Sequence, residues 1–152
     1  MERSRYWTPQ AAFLLASGIL ISIVDIAVGA WNLLVFGYFL AIALTESDSG
    51  FTALIAALSV VKALNSVLTF VVGGLICLAA VKLKNDGRGA LVIAAAIAAV
   101  AWPLVQVLFG IVTIACLQSA IWMIPAIFGV VAAVLALAMP SPATARSRPR
   151  IA

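Results

Sequence analysis

Hydrophobic residues occur along this chain in three long blocks separated by short polar stretches. They do not alternate with polar residues at the short intervals typical of helices and strands in soluble proteins. The first block, residues 10–44, contains one charged residue, Asp25, and the second, residues 51–81, also contains one, Lys62. The third block, residues 90–139, contains none. Because a helix that spans a bilayer needs about 20 mostly apolar residues, the pattern predicts one span in each of the first two blocks and two in the third.

The predicted fold is therefore an all-α membrane protein with a single domain, residues 1–152, whose four transmembrane helices form an up-down bundle. A weak polar break at residues 116–119 separates the third span from the fourth, and Pro140 ends the fourth because proline cannot continue a helix. The predicted boundaries are about 9–30 for the first span, with a helical or interfacial extension to residue 44, then 51–81 for the second, 89–115 for the third, 119–139 for the fourth, and 140–152 for a flexible, basic cytoplasmic tail.

The distribution of Lys and Arg predicts the orientation of the bundle. Eight of the nine basic residues lie before the first span, between the second and third spans, or after the fourth, and with four spans these segments share one side of the membrane. The loop after the first span carries Glu46 and Asp48 and no basic residue. Since positively charged loops stay in the cytoplasm, we expect a multi-pass protein of the cell (plasma) membrane with both termini cytoplasmic. Trp31, Tyr38 and Trp122 are expected at the external interface, where aromatic side chains are enriched.

Composition narrows the range of functions. Hydrophobic residues make up 66% of the chain and charged residues 9%, whereas a soluble domain carries about 25% charged residues. The chain has no histidine and no phosphate-loop, dinucleotide or metalloprotease motif, so we predict no catalytic, cofactor-binding or metal-binding residue and no enzyme activity. The net charge of +4 is spread over segment ends and does not predict nucleic-acid binding. Cys77 and Cys116 are expected at opposite ends of the bundle, about 30 Å apart, which is too far for a disulfide.

Polar residues within the predicted spans fall on single helix faces, at spacings of three and four residues. Because helices in lipid associate through small and polar faces, we expect these side chains to point toward one another inside the bundle. The candidate functional residues are the following intramembrane polar and charged side chains: Asp25, Asn32, Lys62, Asn65 and Gln106.

Asp25 and Lys62 carry the two intramembrane charges, and each costs at least about 2.5 kcal/mol to place at the bilayer centre. Counted from the cytoplasmic ends of their helices, they lie at similar depth and can form an ion pair that holds the helices together. Counted from the loop between the helices, they differ in depth by about 10 Å, unless the first helix breaks near Gly29. The boundaries at residues 8–9 and at Lys82 are the sharper ones, so we prefer the cytoplasmic count and the ion pair that it allows. A paired arrangement indicates a structural role, and an unpaired Asp25 that faces a cavity indicates an ion or proton site.

The first two hydrophobic blocks are longer than a bilayer requires. As helices, residues 10–44 would measure about 52 Å and residues 51–81 about 46 Å, against a hydrocarbon core of about 30 Å. We therefore expect a helical hairpin that reaches beyond the membrane core, or an interfacial segment at residues 31–44. An exposed apolar hairpin is typical of a contact surface, so it predicts binding to another membrane protein or self-association.

The order of these features resembles that of small four-span proteins of high-GC actinobacteria, with a basic loop at residues 82–88, a third helix directly after it and a Pro/Ser/Ala tail at residues 139–146. This resemblance implies a bacterial protein and carries no function. The chain is also similar to small multidrug-resistance transporters in its four spans and in the acid of the first helix, Asp25. It departs from them in helix length and in Lys62.

The function that these observations favour is that of a non-enzymatic accessory or scaffolding subunit, which binds other membrane proteins or lipid without a cofactor. The alternative is a small oligomeric transporter or channel that uses Asp25, with Lys62, as its ion or proton site.

The predicted orientation can be tested with single cysteines in a background without Cys77 and Cys116. Ser47→Cys should react with a membrane-impermeant maleimide added to intact cells, because its loop is predicted to be external. Asn85→Cys should react only after the cells are permeabilised. The reverse labelling pattern would show that the bundle has the opposite orientation.

Overall fold

The computed structural model of the chain describes residues 7–46, 49–87, 89–112 and 116–138. Over these residues the protein consists of four α-helices and no β-strand. The helices are α1 (Pro9–Glu46), α2 (Ser49–Asp86), α3 (Ala90–Val112) and α4 (Cys116–Leu137). Each is long and apolar enough to cross a membrane, so the prediction of an all-helical chain with four helices able to span a bilayer is confirmed. The predicted tail, residues 140–152, lies outside the described residues, as does the loop at residues 47–48.

Local chemistry sets the ends of the long helices. The Oγ1 atom of Thr8 accepts a hydrogen bond from the backbone N–H of Ala11 at 3.3 Å, which caps the start of α1. Gly87 ends α2 with a φ of 81°, a left-handed conformation that glycine adopts without strain. Its N–H donates to the carbonyl oxygen of Leu83 at 3.1 Å. Since nothing before this glycine breaks the helix, α2 continues past its predicted end to Asp86.

The two helix pairs differ in length. α1 and α2 have 38 residues each, about 57 Å of helix, whereas α3 has 23 and α4 has 22, about 34 Å. Toward one end of the bundle α1 contacts α4, where Phe13 stacks on Phe128 with ring centroids 5.5 Å apart. At the other end, Gln118 in the first turn of α4 contacts Lys62 in the middle of α2. The long helices therefore extend about 20 Å beyond the start of α4.

The part of the α1–α2 hairpin beyond α4, residues 33–46 and 49–61, is called the hairpin tip here. It is helical throughout its described residues, so the extension of the first predicted span beyond residue 30 is a continuation of α1 without a break at Gly29. Large apolar side chains on it are exposed, with Leu33 76% and Tyr38 66% accessible, as are many on the outer faces of the rest of the bundle.

Small residues allow the helices to approach one another closely. A Cβ placed on Gly18 of α1 would lie 2.8 Å from the carbonyl oxygen of Gly73 of α2, and one placed on Gly73 would overlap Ser22. Between α3 and α4, a Cβ on Gly129 would overlap the carbonyl oxygen of Ala99. Apolar burial drives no association in lipid, so tight van der Waals contact between such residues holds the pairs together.

Cys77 belongs to the same close contact between α1 and α2. It is a free thiol whose Sγ lies 3.9 Å from the backbone carbonyl oxygen of Leu15, and it acts as a small packing residue. The side chain of Cys116 lies outside the described part of the chain.

Candidate functional site

A cavity of about 850 Å³ lies where the long hairpin extends past α3 and α4. α3 and α4 cover one face of α1 and α2 along part of its length. Because α3 and α4 are shorter, the rest of that face is uncovered, and the cavity lies there. Much of its wall is apolar: Val28, Leu33, Phe36, Leu40, Val67, Phe70 and Val71. Its polar side chains are Asp25, Asn32, Ser59, Lys62, Asn65, Ser66, Gln106 and Gln118. All five candidate residues predicted from the sequence therefore line one cavity.

Lys62 is half-buried in this wall and binds neutral groups of two other helices. Its Nζ donates to Oδ1 of Asn32 in α1 at 3.3 Å and to Oε1 of Gln118 in α4 at 3.1 Å. The ammonium also lies 5.4 Å from the ring centre of Phe36 and 5.8 Å from that of Phe109, where cation–π attraction contributes. Two of the three ammonium N–H groups are thereby used.

Asp25 is buried, with 4% of its surface accessible, and its Oδ2 accepts a hydrogen bond from the hydroxyl of Ser66. Within the described residues no ion pair joins Asp25 to Lys62. The predicted ion pair is therefore absent, and the reason is axial position. Lys62 is level with Asn32, which follows Asp25 by seven residues, or about 10 Å along α1. The depth counted from the loop between the helices was the right one, because α1 does not break at Gly29.

Neutral amides make the contact between α2 and α3. Asn65 Nδ2 donates to Gln106 Oε1 at 2.9 Å, and Gln106 Nε2 donates back to Asn65 Oδ1 at 3.0 Å. Thr69 extends this pair, since its Oγ1 accepts from Trp102 Nε1 at 3.1 Å and donates to the Asn65 carbonyl at 2.8 Å. The sequence places Asn65 and Gln106 on inward faces, and the structure shows that they are each other's partners.

Trp122 was expected among the aromatic side chains of the external interface, but its side chain lies inside the bundle and not on a lipid-facing surface. Its side chain is fully buried and lines the cavity, one helical turn along α4 from Gln118. The indole Nε1 is buried and has no hydrogen-bond acceptor among the described residues. Both residues were missed as candidates because the sequence near residues 116–119 reads as a turn. The signal that identifies them is their spacing of four, which puts them on one helix face.

Comparison of the chain with protein-family models, with curated proteins and with solved structures found no match. The chemistry of the cavity follows from its side chains. Asp25 and Lys62 are its charged groups, and amides and hydroxyls supply its other polar atoms. In the described part of the chain, no group of three His, Cys, Asp or Glu side chains is placed to hold a metal ion.

Two double-mutant cycles, measured as unfolding free energy in detergent, test these partnerships. The Asn65→Ala and Gln106→Ala cycle should show a coupling of about 0.6 kcal/mol, up to ~1.7 kcal/mol, as found for interhelical hydrogen bonds in membranes. The Asp25→Asn and Lys62→Met cycle should be additive within about 0.5 kcal/mol, because the residues share no contact. A coupling near 3 kcal/mol in the second cycle, the scale of a broken buried ion pair, would contradict the structure.

Proposed function

We propose that this chain is a small, non-enzymatic accessory protein of a cell membrane that binds a lipid-like amphiphile in the cavity between the α1–α2 hairpin and the start of α4. Its four helices form an up-down bundle with both termini cytoplasmic, as the basic segments predict. The cavity then lies toward the external side, and the hairpin tip projects beyond the outer leaflet.

The observation that carries the proposal is the combination of an apolar wall with converging polar groups in one cavity. Ligand sites typically measure about 300–1,000 Å³ and are lined by apolar side chains with a few polar groups that orient the ligand, and this cavity of about 850 Å³ fits that description. Polar side chains at membrane depth are costly, so a cluster of them beside a cavity favours a binding role over simple packing.

The hairpin tip supports the accessory role. An apolar surface that extends beyond the membrane core is unfavourable in water and is typical of a protein that contacts another protein or a second copy of itself. A binding cavity at the base of such a tip, next to Asn32 and Lys62, would place the bound amphiphile beside that contact surface.

A second candidate is a small transporter or channel, and the position of Asp25 favours it. The carboxyl group lines the cavity, is bound by Ser66 and is not paired with Lys62. An acid in this setting can bind and release a cation or a proton.

The binding role can be tested by filling the cavity. Gly37 lines it and has no atom within 4 Å of a built Cβ, so Gly37→Trp should place a large ring in the cavity without disturbing the helices. In native mass spectra of protein purified in mild detergent, the affinity for the co-purifying amphiphile should then be about tenfold lower, equivalent to ~1.4 kcal/mol of binding free energy.

The matched control is Gly74→Trp on the exposed side of α2, where a Cβ also meets nothing within 4 Å and which does not line the cavity. Both variants gain the same helix propensity and the same aromatic surface. Equal amphiphile content in the two variants would refute binding in this cavity.

The transport role can be tested by reconstituting the protein into liposomes that contain a pH-sensitive dye. If Asp25 carries protons, the wild-type protein should dissipate an imposed pH gradient, and Asp25→Asn should abolish this flux while the protein remains folded. Gradients that decay at the same rate with wild type, Asp25→Asn and empty liposomes would exclude proton transport.

A further inference from the structure

We infer that the amphiphile in the cavity is a phosphate-bearing anionic lipid, whose phosphate binds the Lys62 ammonium and whose acyl chains follow the apolar wall formed by Val67, Phe70 and Val71. This inference rests on the proposed amphiphile binding and adds the chemistry of the ligand.

The first step is the charge of Lys62. A half-buried ammonium gives up part of its hydration, so it needs an opposite charge or several dipoles in exchange. Lys62 has only the amide oxygens of Asn32 and Gln118 and two aromatic rings, and in the described residues no carboxylate lies within ion-pair distance. One ammonium N–H is therefore left for an anionic acceptor beside the cavity. A phosphate oxygen supplies the charge that the chain does not.

The second step is the depth of that ammonium. Lys62 precedes Lys82 by 20 residues along one unbroken helix, or about 30 Å, which is the thickness of the hydrocarbon core. With Lys82 at one membrane surface, Lys62 lies at the other, where lipid phosphates are found. Its partner Gln118, in the first turn of α4, marks the same level. A lipid can thus enter the cavity laterally from the bilayer, with its phosphate already at the depth of the Lys62 ammonium.

The third step is the level of Trp122. It lies one turn deeper along α4 than Gln118, about 6 Å farther into the bilayer, and it lines the cavity. Its Nε1 has no accessible surface, so the ester region of a glycerolipid at this level meets the ring and not the N–H. The recognition of the head group therefore rests on Lys62.

The fourth step is the path for the acyl chains. Val67, Phe70 and Val71 lie deeper in the membrane than Lys62, line the cavity and are partly exposed, so they form an apolar surface that leads from the phosphate toward the bilayer core. Asp25 lies about 10 Å along α1 from the level of Lys62, and this distance separates its carboxyl group from the lipid phosphate. The carboxyl group accepts a hydrogen bond from Ser66.

The experiment is native mass spectrometry of the delipidated full chain in detergent, titrated with phosphatidylglycerol, phosphatidylcholine, diacylglycerol and a fatty acid of matched chains. Wild type should bind phosphatidylglycerol at least about tenfold more tightly than diacylglycerol. Lys62→Gln should remove this preference and leave diacylglycerol binding unchanged, and Lys62→Arg should preserve it, because guanidinium also binds phosphate.

Lys82→Gln is the matched control, because it removes the same charge at the other end of α2 and should leave the preference intact. Inorganic phosphate, added as a competitor at millimolar concentration, should not displace the lipid; displacement would assign the site to a soluble phosphate compound. The wild-type preference for phosphatidylglycerol over diacylglycerol requires no variant, so the test stands even if Lys62→Gln fails to fold.

The outcomes separate the two proposals. Equal binding of phosphatidylglycerol and diacylglycerol by wild type, lost in Gly37→Trp, would overturn the phosphate and keep the amphiphile site. Tighter binding of the fatty acid than of phosphatidylglycerol would replace the phosphate with a carboxylate. If no amphiphile binds wild type more tightly than Gly37→Trp, both the proposed function and this inference are wrong.

Discussion

The difference in length between the two helix pairs is the feature on which the rest of this structure depends. A bilayer core of about 30 Å accommodates α3 and α4, whereas α1 and α2 are about 57 Å long. Because the shorter pair ends first, it leaves one face of the longer pair uncovered. That uncovered face contains the cavity, and the segment beyond it forms the exposed hairpin tip. A fourth helix that began a few turns earlier would fill the cavity and cover Lys62.

Within this frame, the charged and amide side chains around the cavity take partners at their own axial levels. Lys62 binds amide oxygens from α1 and α4, Asp25 binds a hydroxyl from α2, and Asn65 exchanges two hydrogen bonds with Gln106 of α3. Asp25 and Lys62 lie about 10 Å apart along the helix axes and therefore take different partners. Small residues, such as Gly18 and Gly73, bring the backbones close and so set those positions.

The sequence predicts the four helices because long uncharged blocks have few other solutions in a folded chain. It also predicts that polar stripes face inward, and Asp25, Asn32, Lys62, Asn65 and Gln106 do line one cavity. It does not predict which of them meet. A shift of three residues moves a side chain about 4.5 Å along the axis, so small differences in helix offset exchange one partner for another. Gln118 and Trp122 were misplaced because a weak polar break leaves the start of α4, and hence the face it presents, undetermined.

The Asn65–Gln106 contact has an electrical consequence. A membrane potential acts on a charge with about 2.3 kcal/mol per 100 mV for a full crossing, and it exerts no net force on a neutral amide pair. α2 and α3 are joined by such a pair, supported by Thr69 and Trp102, so this contact does not respond directly to voltage. The same bonds contain no group that titrates near neutral pH, and screening by salt does not weaken them. Changes in voltage, in pH near neutrality or in salt would therefore leave this pair of hydrogen bonds unchanged.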